Sequence, residues 1–336
     1  FLSIPSILSI IVPVPCPLSI MPILEKITYP CSIDSSFQPA FRLLASGSSP
    51  RPLLVALHTW SCTFETGVER YTQLCHEKNW HLIYPNFRGP NNTPAGCGSD
   101  LVVADIADAA IFMQENFAVD SSRIYLSGGS GGGHATLLLA GRRPEIWAAA
   151  SAWCPISDIA AWHRQCLNTT HHGYAEHIEL ACGGNPMNTA SALEEARKRS
   201  PLTYMQNAAG VPLDISTGIH DGHTGSVPVS QAIHAYNSLA ASEDRISQAD
   251  IDHIVLHEQI PEHLLWQDQD PAFGKYKVYL RKQSRMVRLS LFEGGHDMLS
   301  WPTFDWLERQ QKGQVPDWSS GKPWPQEPAD TNELSK

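Results

Sequence analysis

The sequence predicts an α/β fold, a mostly parallel central sheet with helices on both faces and an inserted cap. Three observations carry the prediction. From residue 50 onward, apolar runs of five to seven residues alternate with helix-period segments, the rhythm of βαβ units. Hydrophobic residues make up 42% of the 336, enough to bury such a sheet on both faces. One of the apolar runs ends in a glycine-rich turn that opens directly into a helix of small residues.

Taken in order, Leu24–Leu44 reads as a hairpin leading into the sheet. Strands follow at Pro52–His58, His81–Pro85, Arg123–Ser127, Ala148–Cys154, Leu213–Thr217 and Val287–Phe292, each of the length and apolar character of a strand buried on both sides. Helices fit at Glu65–Lys78, Leu101–Asn116, Gly132–Gly141, Val229–Ala241 and Thr303–Gln311. In the second of these, Val102, Ile106, Ala109, Ala110 and Met113 fall close to the spacing of one buried face. Two segments break the rhythm. Pro155–Gly210 is too long for a plain connection and reads as a cap over the sheet's carboxyl edge. Ser242–Arg285 reads as an irregular polar stretch, and the Pro-rich tail after Lys312 as a segment that wraps the surface or frays.

The first 24 residues carry no charge, but Pro5, Pro13, Pro15, Pro17 and Pro22 would break a spanning helix repeatedly. Residues 1–21 are therefore expected to lie outside the fold, residues 22–315 to form the catalytic domain with 155–210 as its cap, and 316–336 to be a tail. If Met21 is the true start the chain is cytoplasmic; if residues 1–20 act as a signal segment it is secreted. The 24 Lys and Arg against 34 Asp and Glu give a net charge of −10, which excludes a nucleic-acid partner held by a basic surface. The length excludes a small disulfide-stapled module, and the eight cysteines contain no CxxC, which excludes a zinc ribbon or a thioredoxin-type motif. Cys166 and Cys182 bridge within the cap if the protein is secreted and are otherwise free thiols.

The chemistry concentrates at Arg123–Leu139, where a strand runs into Gly128-Gly129-Ser130-Gly131-Gly132 and then a helix. GxSxG in this context is a nucleophile elbow, a strained turn that presents Ser130 above the sheet with a helix N-terminus behind it. A bare Gly-rich phosphate cradle would need GxGxxG or a GK[ST] ending, and neither is present. A serine hydroxyl needs a base to take its proton, and an acid to orient that base. In folds with this elbow the acid and then the histidine follow the serine, each on a loop after a strand. His296, in Glu293-Gly294-Gly295-His296-Asp297 beyond the last strand, is the candidate base. His134, one helical turn from Ser130, should instead point into helix–sheet packing, and His58 should hold its loop by hydrogen bonds. Asp221, just past Leu213–Thr217, is the candidate acid, with Asp214 and Asp297 as alternatives.

These residues resemble the α/β-hydrolase superfamily, in its prolyl-oligopeptidase-like and esterase D-like branch. The resemblance covers Arg51–Gln311 through LLVALHTWSC, YPNFRGP, YLSGGSGGG, IHDGHTGSVPVSQ and FEGGHDM. It implies an α/β-hydrolase fold and, by position, an oxyanion hole made by the backbone N–H groups of Trp60 and Gly131, with Thr59 as the alternative to Trp60 because His58-Thr59-Trp60 replaces the family's His-Gly-Gly. Gly222–Ser226 lengthens the interval between the acid and Val-Pro relative to the family pattern.

The expected activity is hydrolysis of carboxylic esters by a Ser130, Asp221, His296 triad through an acyl-enzyme. No metal or organic cofactor is required; His163, His171, His172 and His177 of the cap read as surface residues rather than zinc ligands. The expected partner is a small-molecule ester, aromatic or carbohydrate-linked, with Trp60, Trp153 and Trp162 lining a flat apolar cleft; no nucleic acid and no membrane is expected. Ester is favoured over peptide because the propeller that gates peptides in the prolyl oligopeptidases has no room in the preceding fifty residues. The alternatives are a serine peptidase of that type and, in a different class, a non-catalytic binding protein on the same fold.

Overall fold

A computed structural model describes residues 22–167 and 169–325. The expectations for residues 1–21 and for the last part of the tail, 326–336, lie outside the described residues.

The sheet is built from nine strands: β1 (Glu25–Pro30), β2 (Phe37–Leu43), β3 (Arg51–Leu57), β4 (His81–Pro85), β5 (Val119–Gly129), β6 (Ala149–Trp153), β7 (Leu213–Gly218), β8 (Val278–Ser284) and β9 (Val287–Phe292). Their order is β1-β2-β4-β3-β5-β6-β7-β9-β8. From β4 to β9 every neighbouring pair is parallel, and antiparallel strands close the two ends. This is the α/β-hydrolase architecture. The expected hairpin is β1 paired with β2, and all six expected core strands form, within a few residues at their ends.

The helices are α1 (Glu69–Glu77), α2 (Asp100–Asn116), α3 (Gly131–Arg142), α4 (Ile159–Cys166), α5 (His172–Cys182), α6 (Ala190–Lys198), α7 (Ser230–Leu239), α8 (Gln248–His257) and α9 (Ser300–Glu308). Helix α1 starts later than its apolar pattern, because residues 59–66 are spent in successive tight turns, Cys62 N–H to Thr59 and Thr66 N–H to Thr63. Helix α2 starts where Ser99 accepts the Val102 N–H, and the face carrying Val102, Ile106, Ala109, Ala110 and Met113 is buried. Helix α9 begins earlier than expected, since Pro302 is tolerated in a first turn, where its missing N–H has no helical partner to lose. No described helix is long and apolar enough to cross a membrane.

One expectation is corrected. Ser242–Arg285 is not irregular: it contains α8, capped by Ser247, and the edge strand β8. Strand β8 reads as polar because an edge strand carries charge that discourages further pairing, and its Arg281 reaches the buried Asp270. The cap segment is α4, α5 and α6 packed on one another around Trp162, Ile178 and Ala192. Its last turn, Met205–Gly210, lies on α3 and α7, so the segment also serves as the crossover between β6 and β7. The tail begins to pack as soon as it leaves α9: Trp318 stacks on Trp306 at 5.3 Å and the Gly321 N–H reaches Asp270 at 2.7 Å.

Within the sheet, Asp214 of β7 stands opposite Arg288 of β9, both buried, with Nε to Oδ1 at 2.7 Å. The guanidinium also lies over the rings of Trp306 and Trp318. Removing one member of such a pair strands the other charge in the core. Asp214→Ala should lower unfolding free energy by about 3–5 kcal/mol in urea titration, and Asp214→Leu/Arg288→Met should recover most of it.

Candidate active site

Strands β5, β6, β7 and β9 are consecutive neighbours, so the residues just past their carboxyl ends converge: Ser130, Cys154, Asp221 and His296. Ser130 has φ +57° and ψ −119°, a region that L-residues with a side chain avoid at a cost of about 1–3 kcal/mol. The strain is held by packing. Its N–H donates to Trp153 O at 2.9 Å, and α3 lies so close to the sheet that a Cβ on Gly131, Gly132 or Gly133 would come within 2.5 Å of the backbone of Trp60, Leu57 or Trp153. Only glycine fits at these contacts.

The same closeness sets the Trp60 nitrogen beside Gly131. Neither of these two N–H groups has a protein acceptor among the described residues. The Trp60 carbonyl is fixed from the other side by the Asn91 N–H at 2.9 Å and Nδ2 at 3.2 Å, while Asn91 Oδ1 accepts from Cys97 N–H at 2.8 Å. His58 is buried beneath this loop, stacked on Phe87, with its ring nitrogens 2.9 Å from Thr59 O and 2.8 Å from Asn86 O. Burial lowers its pKa, so one nitrogen donates and the loop is pinned by a neutral ring. Asn91 carried no motif in the sequence.

His296 Nδ1 lies 2.8 Å from Asp221 Oδ2. Asp221 is buried, and its other oxygen accepts the N–H groups of Gly222 at 3.0 Å and Val227 at 3.2 Å. The additional residues Gly222–Ser226 thus wrap the carboxylate rather than displacing it. Burial works against charge on the His296 ring, yet the Asp221 charge and hydrogen bond, with a hydrogen bond to Cys154, outweigh it and raise the pKa well above 6.5. The ring remains 28% exposed. His220, next to Asp221, bridges Glu258 at 2.7 Å and Glu293 at 3.0 Å, and Tyr279 donates to Glu293 at 2.6 Å. This clasp ties the loop after β7 to the loop after β9.

The other candidates fall elsewhere. Asp214 is taken by Arg288, and Asp297 Oδ2 accepts the Gly295 N–H at 2.8 Å within its own loop. His134 is buried with Nε2 2.7 Å from Arg199 O, between α3 and the end of the cap, and burial brings its pKa down to about 4. The flat cleft of tryptophans is corrected: Trp60, Trp153 and Trp162 are all buried. Trp60 packs edge-on against Trp162 in the cap core, whose indole N–H is spent on Ser226 O at 2.9 Å. Trp153 packs with Phe273 and Phe292, its N–H on Ser151. His163 is likewise core, not surface, 2.9 Å from Glu179, because α4 turns it onto α5. Cys166 and Cys182 are free thiols in that core.

Residues 98–263 match the Prolyl oligopeptidase family (Peptidase_S9), a stretch holding Ser130 and Asp221 and ending before His296. Acylamino-acid-releasing enzyme 1 of Oryza sativa subsp. japonica is 27% identical over 122 residues, 34% of this chain and 16% of that protein. Among solved structures, the acylaminoacyl peptidase of Pyrococcus horikoshii superposes with a TM-score of 0.60 at 17% identity, covering 88% of this chain and 43% of that one. A puromycin-hydrolyzing peptidase of Mycobacterium tuberculosis gives 0.51 at 18% identity, covering 66% and 34%. The chain spans less than half the length of each of these proteins.

Sequence inspection gave no role to Gly225. A Cβ there would come within 2.3 Å of Asp221 Oδ1 and 2.6 Å of His296 Cβ. Gly225→Ala should therefore push the two apart while leaving the sheet intact: the low-field proton resonance of the His296–Asp221 hydrogen bond should vanish from the NMR spectrum with the circular dichroism unchanged.

Proposed function

We propose that this serine hydrolase of the prolyl oligopeptidase family is a peptidase, cleaving an amide bond next to a small N-terminal acyl or aminoacyl group. The reading is carried by the family match across Ser130 and Asp221, together with the buried carboxylate that holds His296. It replaces the ester preference as the first choice. That preference rested on the missing propeller, and a chain that spans 43% of the Pyrococcus horikoshii peptidase does not exclude further domains. Carboxylic esters, chemically easier acyl donors, remain substrates of the same machinery.

In this mechanism Ser130 Oγ attacks the carbonyl carbon as His296 takes its proton. Asp221 holds the imidazole in the tautomer that exposes a lone pair to the serine and offsets the imidazolium charge that forms. The unengaged N–H groups of Trp60 and Gly131 receive the oxyanion. His296 then protonates the leaving amine, and water, deprotonated by the same ring, releases the acyl group and restores Ser130.

Ser130→Ala should lower kcat on an N-acyl-amino-acid p-nitroanilide by about 10⁶-fold, and on p-nitrophenyl acetate in parallel. A wild-type chain that turns over the ester but neither that anilide nor a free-aminoacyl anilide returns the reading to an esterase. Turnover that survives the substitution removes the serine assignment.

Because Asp221 raises the His296 pKa above the ordinary histidine value, the acid limb of kcat/KM, which rises as the base loses its proton, should lie at higher pH than a free imidazole would set. Asp221→Asn removes the charge that raises it, so the acid limb of the profile should move to lower pH. The same change should reduce kcat by about 10⁴-fold.

A further inference from the structure

Cys154 follows β6 with φ +44°, and its buried thiol is turned toward the acid and base rather than into the apolar core. Its Sγ donates to Asp297 O at 3.2 Å. Among the described residues, the Cys154 sulfur, a carboxylate oxygen of Asp221 and a ring nitrogen of His296 all lie within 4.8 Å of one another. Sulfur, oxygen and nitrogen ligands sharing one tetrahedral zinc stand roughly 3.3–3.7 Å apart, from bond lengths of about 2.3 Å to sulfur and 2.0–2.2 Å to nitrogen or oxygen. The His296 and Asp221 atoms, 2.8 Å apart, open by roughly 0.5 Å and the Cys154 sulfur closes by at most about 1.3 Å to seat an ion.

We propose that Cys154, Asp221 and His296 form an inhibitory binding site for zinc or another soft divalent cation, which switches off the hydrolase reversibly. The argument rests on the reading of His296 as the general base. Charge selects the valence: a thiolate and a carboxylate, both buried, together balance a doubly charged ion, so the complex leaves no net charge in a dry site. The donor set selects the metal, since sulfur with imidazole favours zinc and its soft relatives over magnesium or calcium, which take oxygen ligands. The partly exposed face of His296 admits the ion and a water to complete four ligands.

The proton balance explains the inhibition. On binding, the Cys154 thiol gives its proton to solvent and the sulfur bonds the metal. The His296 nitrogen facing Asp221 gives up its proton and bonds the metal through its lone pair, while the opposite nitrogen keeps the proton of the imidazolium or, from the neutral ring, takes one from solvent. His296 then presents an N–H to Ser130 instead of a lone pair and cannot accept the serine proton. No electron is transferred, and a chelator reverses every step.

The site is tested without turnover in Ser130→Ala, which retains all three ligands. Titration with cadmium chloride should give a thiolate-to-cadmium charge-transfer absorption in the ultraviolet that saturates at one ion per chain above the background of the other cysteines, and that Ser130→Ala/Cys154→Ser lacks. In the active protein, zinc chloride should suppress anilide hydrolysis and EDTA should restore it. In Cys154→Ser, measured against its own metal-free rate, half-inhibition should need at least the ~10–100-fold more zinc that loss of even an outer partner costs a metal site. A band present in Ser130→Ala in a chain with no hydrolase activity would uphold the site and refute the catalytic reading. Equal absorption with and without Cys154, or zinc inhibition unchanged in Cys154→Ser, would overturn the site.

Discussion

The closeness of α3 to the sheet governs the rest of the site. Three consecutive glycines let the helix backbone meet the ends of β3 and β6 at distances no side chain would permit. That contact bends the chain at Ser130 into a conformation it would not hold alone, and it brings the Trp60 and Gly131 amides side by side. A strained residue survives only where its surroundings over-determine it. Here a hydrogen bond from Ser130 to Trp153 and the buried rows of β5 and α3 do so. The geometry of the loop that carries Trp60 is secondary to this contact, and Asn91 and His58 keep it from relaxing.

The second half of the site is electrostatic. A carboxylate held by two backbone N–H groups on one oxygen turns the other to His296, so the acid is fixed independently of the histidine. The two loops that carry them come from adjacent strands, β7 and β9, and are tied again by the His220 bridge to Glu258 and Glu293. Cys154 comes from β6, the strand between the serine and the acid, which is why a thiol sits against both members of the pair.

The sheet and its helices were legible because a strand buried on both faces must be apolar throughout and the elbow needs its glycines in fixed places. Ser130, Asp221 and His296 could be singled out because each follows such a strand. What could not be read has physical reasons too. Strand β8 hides behind Arg281 and Lys282, as an edge strand should, and α8 buries only Ile251 and Ile254. The tryptophans misled because a large indole is equally consistent with a binding platform and with a core; Trp60, Trp153 and Trp162 are core. Asn91 and Cys154 lie outside the motifs, and their importance comes from contacts 31 and 143 residues away; Gly225 sits inside one, but its role depends on how the loop folds back on Asp221 and His296.

The claim on which the account stands is that Ser130 is a nucleophile activated by His296. Reaction with a fluorophosphonate followed by peptide mass spectrometry tests it without assuming any substrate. The account predicts one adduct per chain, on Ser130, formed at a rate that collapses in His296→Ala while circular dichroism is unchanged. An adduct on another residue, or on Ser130 at the same rate without His296, would contradict it.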